Sequence, residues 1–122
     1  MSLDEKNSGL IDVVKQIDSF ASEREWGPFH TPKNLVSSIS IEAAELLECF
    51  QWNNPEISEV LADDKLLKSV EEEIADVMIY SLRLCSILGS EPIKIMKSKL
   101  EKNTGKYPVS KSKGKSTKYH EL

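Results

Sequence analysis

The sequence predicts an all-α protein, a four-helix antiparallel bundle with a flexible basic C-terminal tail over about residues 109–122. Glycine and proline number only five each in 122 residues, which leaves little room for the turns of an all-β fold. Apolar residues recur at helical spacing along most of the chain. The connections between these segments are short, which favours antiparallel neighbours in a single domain over residues 1–122.

A break rich in glycine and proline separates the first two predicted helices. The first covers about residues 8–24, with a cap at residues 7–8. The stretch "EWGPFHTPKN" interrupts it, and Thr31 followed by Pro32 is typical of an N-cap and a first helical residue. The second helix is predicted to reach about Trp52, where "NNP" stops it.

The second half of the chain contains two further predicted helices. The segment "EISEVLADDKLL" is compatible with a short helix or a turn. Asp63 or Asp64 then caps a long third helix that Gly89 ends. Ser90 is the predicted cap of a fourth helix, which ends at the Tyr-Pro pair of residues 107–108. The tail "VSKSKGKSTKYHEL" lacks hydrophobic periodicity and is predicted to be mobile.

Composition excludes several classes of protein. A net charge of -4 argues against a non-specific nucleic-acid binder, which needs a basic face. The start "MSLDEKNSGL" has neither a basic nor an apolar leader region, and no 18 consecutive apolar residues occur. We therefore expect a soluble cytoplasmic protein with no membrane partner. Cys49 and Cys85 lack the spacing of a metal site and are interpreted as packing residues.

Two pairs of acidic residues flank the apolar faces of the second and third helices. At about 100° per residue, Glu42 and Glu45 lie beside one face, and Glu73 and Asp76 beside the other. If the helices pack against each other, these carboxylates converge. The cluster then destabilises the folded state unless a positive charge balances it. Lysine side chains or a hard divalent cation can do so, and an all-oxygen ligand set suits Mg²⁺ or Mn²⁺.

Acidic pairs of this kind are common on helices, so the metal site is not the only interpretation of the pattern. A single Glu-x-x-Glu pair is more often a solvated surface or part of an ion-pair network. The spacing of the residues alone therefore leaves the metal site and the ion-pair network both open. Glu71, Glu72 and Arg83 are assigned to other faces of the third helix and are predicted to meet water.

Three stretches, "FHTPKNLVSSISIEAAELLECFQW", "EEEIADVMIY" and "SKLEKNTGKYP", together resemble the MazG-like family of all-α nucleoside triphosphate pyrophosphatases. The resemblance covers about residues 10–122 and is strongest to the branch that hydrolyses dCTP. It implies a bundle of the MazG-like type and a hydrolase that converts dCTP, or a modified dCTP, to dCMP and pyrophosphate as nucleotide-pool housecleaning. The alternatives are a broad-specificity or dUTP-directed pyrophosphatase and, in another class, a catalytically silent helical interaction module.

The same resemblance implies roles for individual residues. The catalytic and metal-binding set, holding Mg²⁺ or else Mn²⁺, is Glu42, Glu45, Glu73 and Asp76. The substrate-binding set is Trp26, His30, Trp52 and Tyr80 around the base, with Lys99, Asn103 and Lys106 near the phosphates. The carboxylate that accepts the proton of the attacking water stays open, with Glu45 as the first candidate. Because the family is generally oligomeric, a homodimer or homotetramer is expected.

Overall fold

The computed structural model describes residues 9–122, which contain helices and no strands. In chain order the α-helices are α1 (Gly9–Glu23), α2 (Pro32–Glu48), α3 (Ile57–Ala62), α4 (Asp64–Leu88), α5 (Pro92–Lys106) and α6 (Val109–Ser112). Two 3₁₀ turns, Gly27–Phe29 and Tyr119–Glu121, complete the helical structure. The predicted all-α class is confirmed, whereas the cap predicted at residues 7–8 lies outside the described part of the chain.

Most helix ends follow local signals in the sequence. Thr31 caps α2 through its hydroxyl, which accepts from the Asn34 backbone N–H at 3.2 Å. Asp63 caps α4 in the same way, accepting from the backbone N–H of Leu66 at 3.0 Å. Gly89 ends α4 with a φ of 67°, a left-handed conformation that glycine adopts without steric cost. These three predicted ends are confirmed.

The end of α2 was predicted too late. The helix stops at Glu48 rather than near Trp52. Over residues 49–51 the backbone N–H groups bond to carbonyls only three residues earlier, at 3.0–3.2 Å. This tighter hydrogen bonding turns the chain out of the α-helix before Trp52 is reached. The helical spacing of the apolar residues does not distinguish such a tightened end from another α-helical turn.

Two other connections refine the sequence prediction. The ambiguous segment after Pro55 is a short helix, α3, stabilised where the Glu56 backbone N–H donates to the Glu59 carboxylate at 3.1 Å. The predicted Ser90 cap is wrong by one residue. Glu91 caps α5, and its two carboxylate oxygens accept from the backbone N–H groups of residues 93 and 94 at 3.2 and 3.0 Å. A proline at the first helical position makes the residue before it the cap.

The described residues form two compact units. The first ends at Gly89, and in it α2 packs extensively on α4, with smaller contacts from α1 and α3. His30, just before α2, bonds to Arg83 late in α4, whereas Glu42 contacts Glu73 earlier in α4. Helices α2 and α4 are therefore antiparallel.

The second unit, Ser90–Leu122, contains α5, α6 and the C-terminal 3₁₀ turn. Within it the rings of Tyr107 and Tyr119 meet edge to face at 6.1 Å. The predicted tail thus includes short helical segments, and its mobility stays a prediction. The four-helix bundle, which would include α5, and the single domain also stay predictions.

The fully buried core is small for a chain of this length. Among the described residues the buried hydrophobic side chains are Ala21 and Leu35, which are 2% and 1% exposed. On α4, Ile74 and Met78 lie one turn apart and are 37% and 60% exposed. Much apolar surface therefore stays accessible in the single chain.

None of the described helices is long and apolar enough to cross a membrane.

Candidate active site

Helices α2 and α4 bring the predicted acidic residues together. One carboxylate oxygen from each of Glu42, Glu73 and Asp76 lies within 4.8 Å of the others, and all three residues are half-buried. Glu45 is more exposed, but its carboxylate interacts with those of Glu42 and Glu73. Helical spacing thus identified the members of the cluster, and the antiparallel packing of α2 and α4 places them side by side.

The acidic cluster changes the protonation of its members. A hydrogen bond with Glu73, partial removal from solvent and the charges of Glu45 and Asp76 raise the pKa of Glu42 from 4.5 to about 7. For Glu73 the hydrogen bond from Glu42 lowers the pKa, but desolvation and the neighbouring acids outweigh it and leave the pKa raised. Two carboxyl groups can share a hydrogen bond only when one is protonated. Without a cation, the cluster therefore retains a proton near neutral pH.

The residues of the acidic cluster fit a hard divalent cation. Glu42 and Glu73 each have one oxygen, Oε2, that solvent does not reach and that receives no hydrogen bond from the described residues. Carboxylate oxygens are the ligands that Mg²⁺ and Mn²⁺ prefer. Two oxygens on opposite sides of one Mg²⁺ are about 4.2 Å apart, twice a bond length of about 2.1 Å, and oxygens that lie within 4.8 Å of one another can meet this requirement. Among residues 9–89, the ion pairs involve other acids, Glu23 and Asp18.

A cavity of about 290 Å³ adjoins the acidic cluster, because Asp76 belongs to both. Its wall combines the aromatic side chains of Phe20, Trp26 and Tyr80 with the polar groups of His30, Asp76 and Arg83. Trp26 packs edge to face on Phe20 at 5.5 Å and on His30 at 6.1 Å between ring centroids. Three of the four residues predicted around a base, Trp26, His30 and Tyr80, therefore share one cavity.

Arg83 contradicts the prediction that it faces water. Its side chain is only 15% exposed, and its Nη1 donates to Asp18 Oδ1 at 2.8 Å. Its Nε also donates to His30 Nδ1 at 3.0 Å. Arg83 follows Asp76 by seven residues, close to two helical turns, so helical spacing puts both residues on the same side of α4. Asp18, its partner from α1, had no such signal.

The remaining predicted substrate-binding residues lie elsewhere. Trp52 follows the end of α2, is 85% exposed and does not line the cavity. Lys99, Asn103 and Lys106 lie on α5 in the second unit at a spacing that puts them on one face of the helix. The Lys106 ammonium lies 4.7 Å from the centre of the Tyr119 ring. The binding roles of these four residues stay predictions.

Comparison with known proteins gives consistent results. A family model described as "MazG-like family" matches residues 37–122. The chain is 34% identical to dCTP pyrophosphatase 1 of Rattus norvegicus over 114 residues, covering 93% of this chain and 67% of the rat protein. It is 33% identical to dCTP pyrophosphatase 1 of Homo sapiens over 115 residues, with 93% and 67% covered.

A solved structure supports the same assignment. The crystal structure of a pyrophosphatase from Archaeoglobus fulgidus superposes with a TM-score of 0.73 and 46% sequence identity. The match covers 81% of this chain and 92% of the archaeal one. The chain belongs to the MazG-like family, as its sequence motifs predict.

Proposed function

We propose that this chain converts dCTP, or a modified dCTP, to dCMP and pyrophosphate with Mg²⁺ or Mn²⁺ as the cofactor. The chain is a nucleotide pyrophosphohydrolase of the MazG-like family. One observation carries the choice of site: a cluster of acids that fits a divalent cation shares Asp76 with a cavity lined by aromatic residues. A nucleotide needs both parts, one for its phosphates and one for its base.

The acidic cluster is the proposed metal site. Glu42, Glu73 and Asp76 would hold the cation, with Glu45 as a further ligand from the exposed side. When bound, a divalent cation would neutralise charge on the triphosphate and polarise the phosphorus that is attacked. Without it the clustered negative charge repels a nucleotide, so substrate binding should depend on the metal.

The side chains have separate proposed tasks. Glu45 accepts the proton of the attacking water, because it is the most exposed acid of the cluster and a water molecule can reach it from solvent. Trp26 and Tyr80 hold the base through their rings. Full metal-dependent turnover by a Glu45→Ala variant would contradict the role of Glu45. The roles of Trp52 at the base and of the α5 residues at the phosphates rest on the family resemblance.

We also propose that the chain acts as a homodimer or homotetramer in the cytoplasm. Support for association comes from the small core and from apolar side chains such as Ile74 and Met78 that stay exposed in one chain. Light scattering at micromolar concentration should therefore give at least twice the mass of one chain. A monomer in that measurement would contradict the proposal.

The decisive experiment measures pyrophosphate release from each of the four common dNTPs, dUTP and 5-methyl-dCTP. With Mg²⁺ we expect dCTP or its 5-methyl form to give the highest kcat/KM, and with EDTA we expect no release. The same nucleotides should raise the Tm only when the metal is present. Equal thermal shifts in EDTA and Mg²⁺ would contradict the metal site, and equal rates for all dNTPs would support a broad-specificity enzyme instead.

A further inference from the structure

A network of polar side chains supports one wall of the cavity. Arg83 from α4 donates from Nε to His30 Nδ1 at 3.0 Å and from Nη1 to Asp18 Oδ1 at 2.8 Å. Ser86, almost one turn later, donates its hydroxyl to the other oxygen, Asp18 Oδ2, at 3.0 Å. The network therefore ties α1 and α4 to the residue that precedes the cap of α2.

The network determines which nitrogen of His30 carries the proton. A guanidinium group only donates hydrogen bonds and keeps its charge at all physiological pH values. His30 Nδ1 must therefore accept, and the proton of the neutral ring must sit on Nε2. Burial and the charge of Arg83 both lower the pKa of His30, which favours the neutral ring. His30 thus has one ring donor left, Nε2–H.

This donor belongs to a residue of the cavity wall. No hydrogen bond from His30 Nε2 occurs among the described residues, and His30 lines the same cavity as Trp26 and Tyr80. Asp18, whose side chain is 38% exposed, neutralises Arg83 on its other side. The groups around the ring thus hold it in one orientation and one tautomer while Nε2–H stays available.

We propose that His30 donates this Nε2–H to the unprotonated ring nitrogen N3 of cytosine, and that Arg83 is the positioning residue that fixes the donating tautomer. The inference rests on the proposed function, because it assumes that the cavity receives the base of a nucleotide. Cytosine N3 accepts a hydrogen bond, whereas N3 of uracil and thymine carries a proton. A fixed donor would face that proton and leave two buried donors unpaired.

The first test compares dCTP with 3-deaza-dCTP, in which a C–H group replaces N3. We expect the wild-type chain to prefer dCTP by about 10- to 100-fold in kcat/KM, the effect of one buried hydrogen bond and its unpaired donor. A His30→Leu variant should lose that preference. A His30→Gln variant should recover part of it, since the glutamine amide can donate from nearly the same place. A wild-type ratio near one, or an unchanged ratio in His30→Leu, would overturn the proposal.

The second test addresses Arg83 as a positioning residue. Long-range ¹H–¹⁵N correlation spectra distinguish a protonated ring nitrogen from a bare one. They should show His30 with its proton on Nε2 in the wild type and with mixed tautomers in Arg83→Met. The dCTP preference over 3-deaza-dCTP should fall in parallel. An Arg24→Met variant is the matched control, because Arg24 stacks on Phe20 outside the network, and it should keep both the tautomer and the preference.

Failure of this inference is distinguishable from failure of the proposed function. If Arg83→Met does not fold, Asp18→Asn weakens the hold on Arg83 and is measured by the same two readouts. Pyrophosphate release from dCTP with a deaza ratio near one would sink the inference and leave the proposed function intact. Absence of pyrophosphate release from every nucleotide by the wild-type chain would sink both. A single Nε2–H tautomer that persists in a folded Arg83→Met protein would overturn the role of Arg83.

Discussion

Two polar clusters lie along one side of α4, with Asp76 of one about two helical turns from Arg83 of the other, and they differ in how their charges are balanced. Around Glu73 and Asp76 the charges have one sign, and two buried oxygens lack a hydrogen bond among the described residues. In the second cluster, the guanidinium group of Arg83 donates to the Asp18 carboxylate at 2.8 Å and to the neutral ring of His30 at 3.0 Å. The first cluster fits a cation from outside, whereas in the second the charge of Arg83 is balanced by Asp18, and the network holds the His30 ring in place.

The sharpest way to break this comparison is to remove one acid of the unbalanced cluster. Glu73→Gln should lower kcat/KM for dCTP by roughly 100-fold or more, because a metal ligand and its charge are lost. In the metal-free protein the same change should raise the Tm above pH 7, because like-charge repulsion falls. Glu72→Gln is the matched control, since Glu72 is exposed. Equal losses of activity in the two variants would contradict the metal site.

The cavity that the two clusters share can be tested through its aromatic wall. Trp26→Ala should raise KM for dCTP by roughly 5- to 150-fold, since a stacked base contributes about 1–3 kcal/mol. Trp52→Ala should have a smaller effect, because Trp52 is 85% exposed and lies outside the cavity. A larger effect for Trp52→Ala would show that the cavity of one chain is only part of the base site.

The balanced cluster should matter for stability more than for chemistry. Arg83→Met should reduce the free energy of unfolding in urea by about 1–3 kcal/mol, because Asp18 and His30 lose their partner in a half-buried site. Arg24→Met should cost less than about 1 kcal/mol, as expected for its exposed pair with Glu23 at 3.9 Å. Equal costs would mean that the Arg83 network adds nothing beyond a surface ion pair.

The smallest expected effect is a pH dependence of the metal-free protein. Because the pKa of Glu42 is raised from 4.5 to about 7, the folded state binds more protons than the unfolded state between these values. Stability should therefore be greatest below about pH 4.5, as far as this group is concerned, and fall by a few degrees in Tm as pH rises to 7. Glu42→Gln should flatten that slope, and an unchanged slope would assign the titration to another group.

Local signals made much of the fold predictable. The caps at Thr31 and Asp63 and the stop at Gly89 depend on residues that are close in sequence, so the pattern contains the necessary information. The end of α2 was missed because a tightened turn keeps helical spacing for several residues. The Glu91 cap was missed although Pro92 marks it.

The candidate site was predictable where its parts repeat along a helix and less so where they join distant segments. Glu42 and Glu73 could be assigned from spacing on two helices that pack face to face. Asp18 and Arg83 are 65 residues apart, and no periodicity links them. The pairing depends on how α1 packs against α4. No local sequence pattern specifies that packing.

The small buried core has a consequence for handling the protein. With Ala21 and Leu35 as its fully buried hydrophobic side chains among residues 9–122, one chain buries few apolar side chains completely and leaves the others partly in contact with water. If association covers the rest, folding and assembly are linked by mass action. The Tm should then rise with protein concentration, and specific activity should fall on dilution below the dissociation constant of the oligomer.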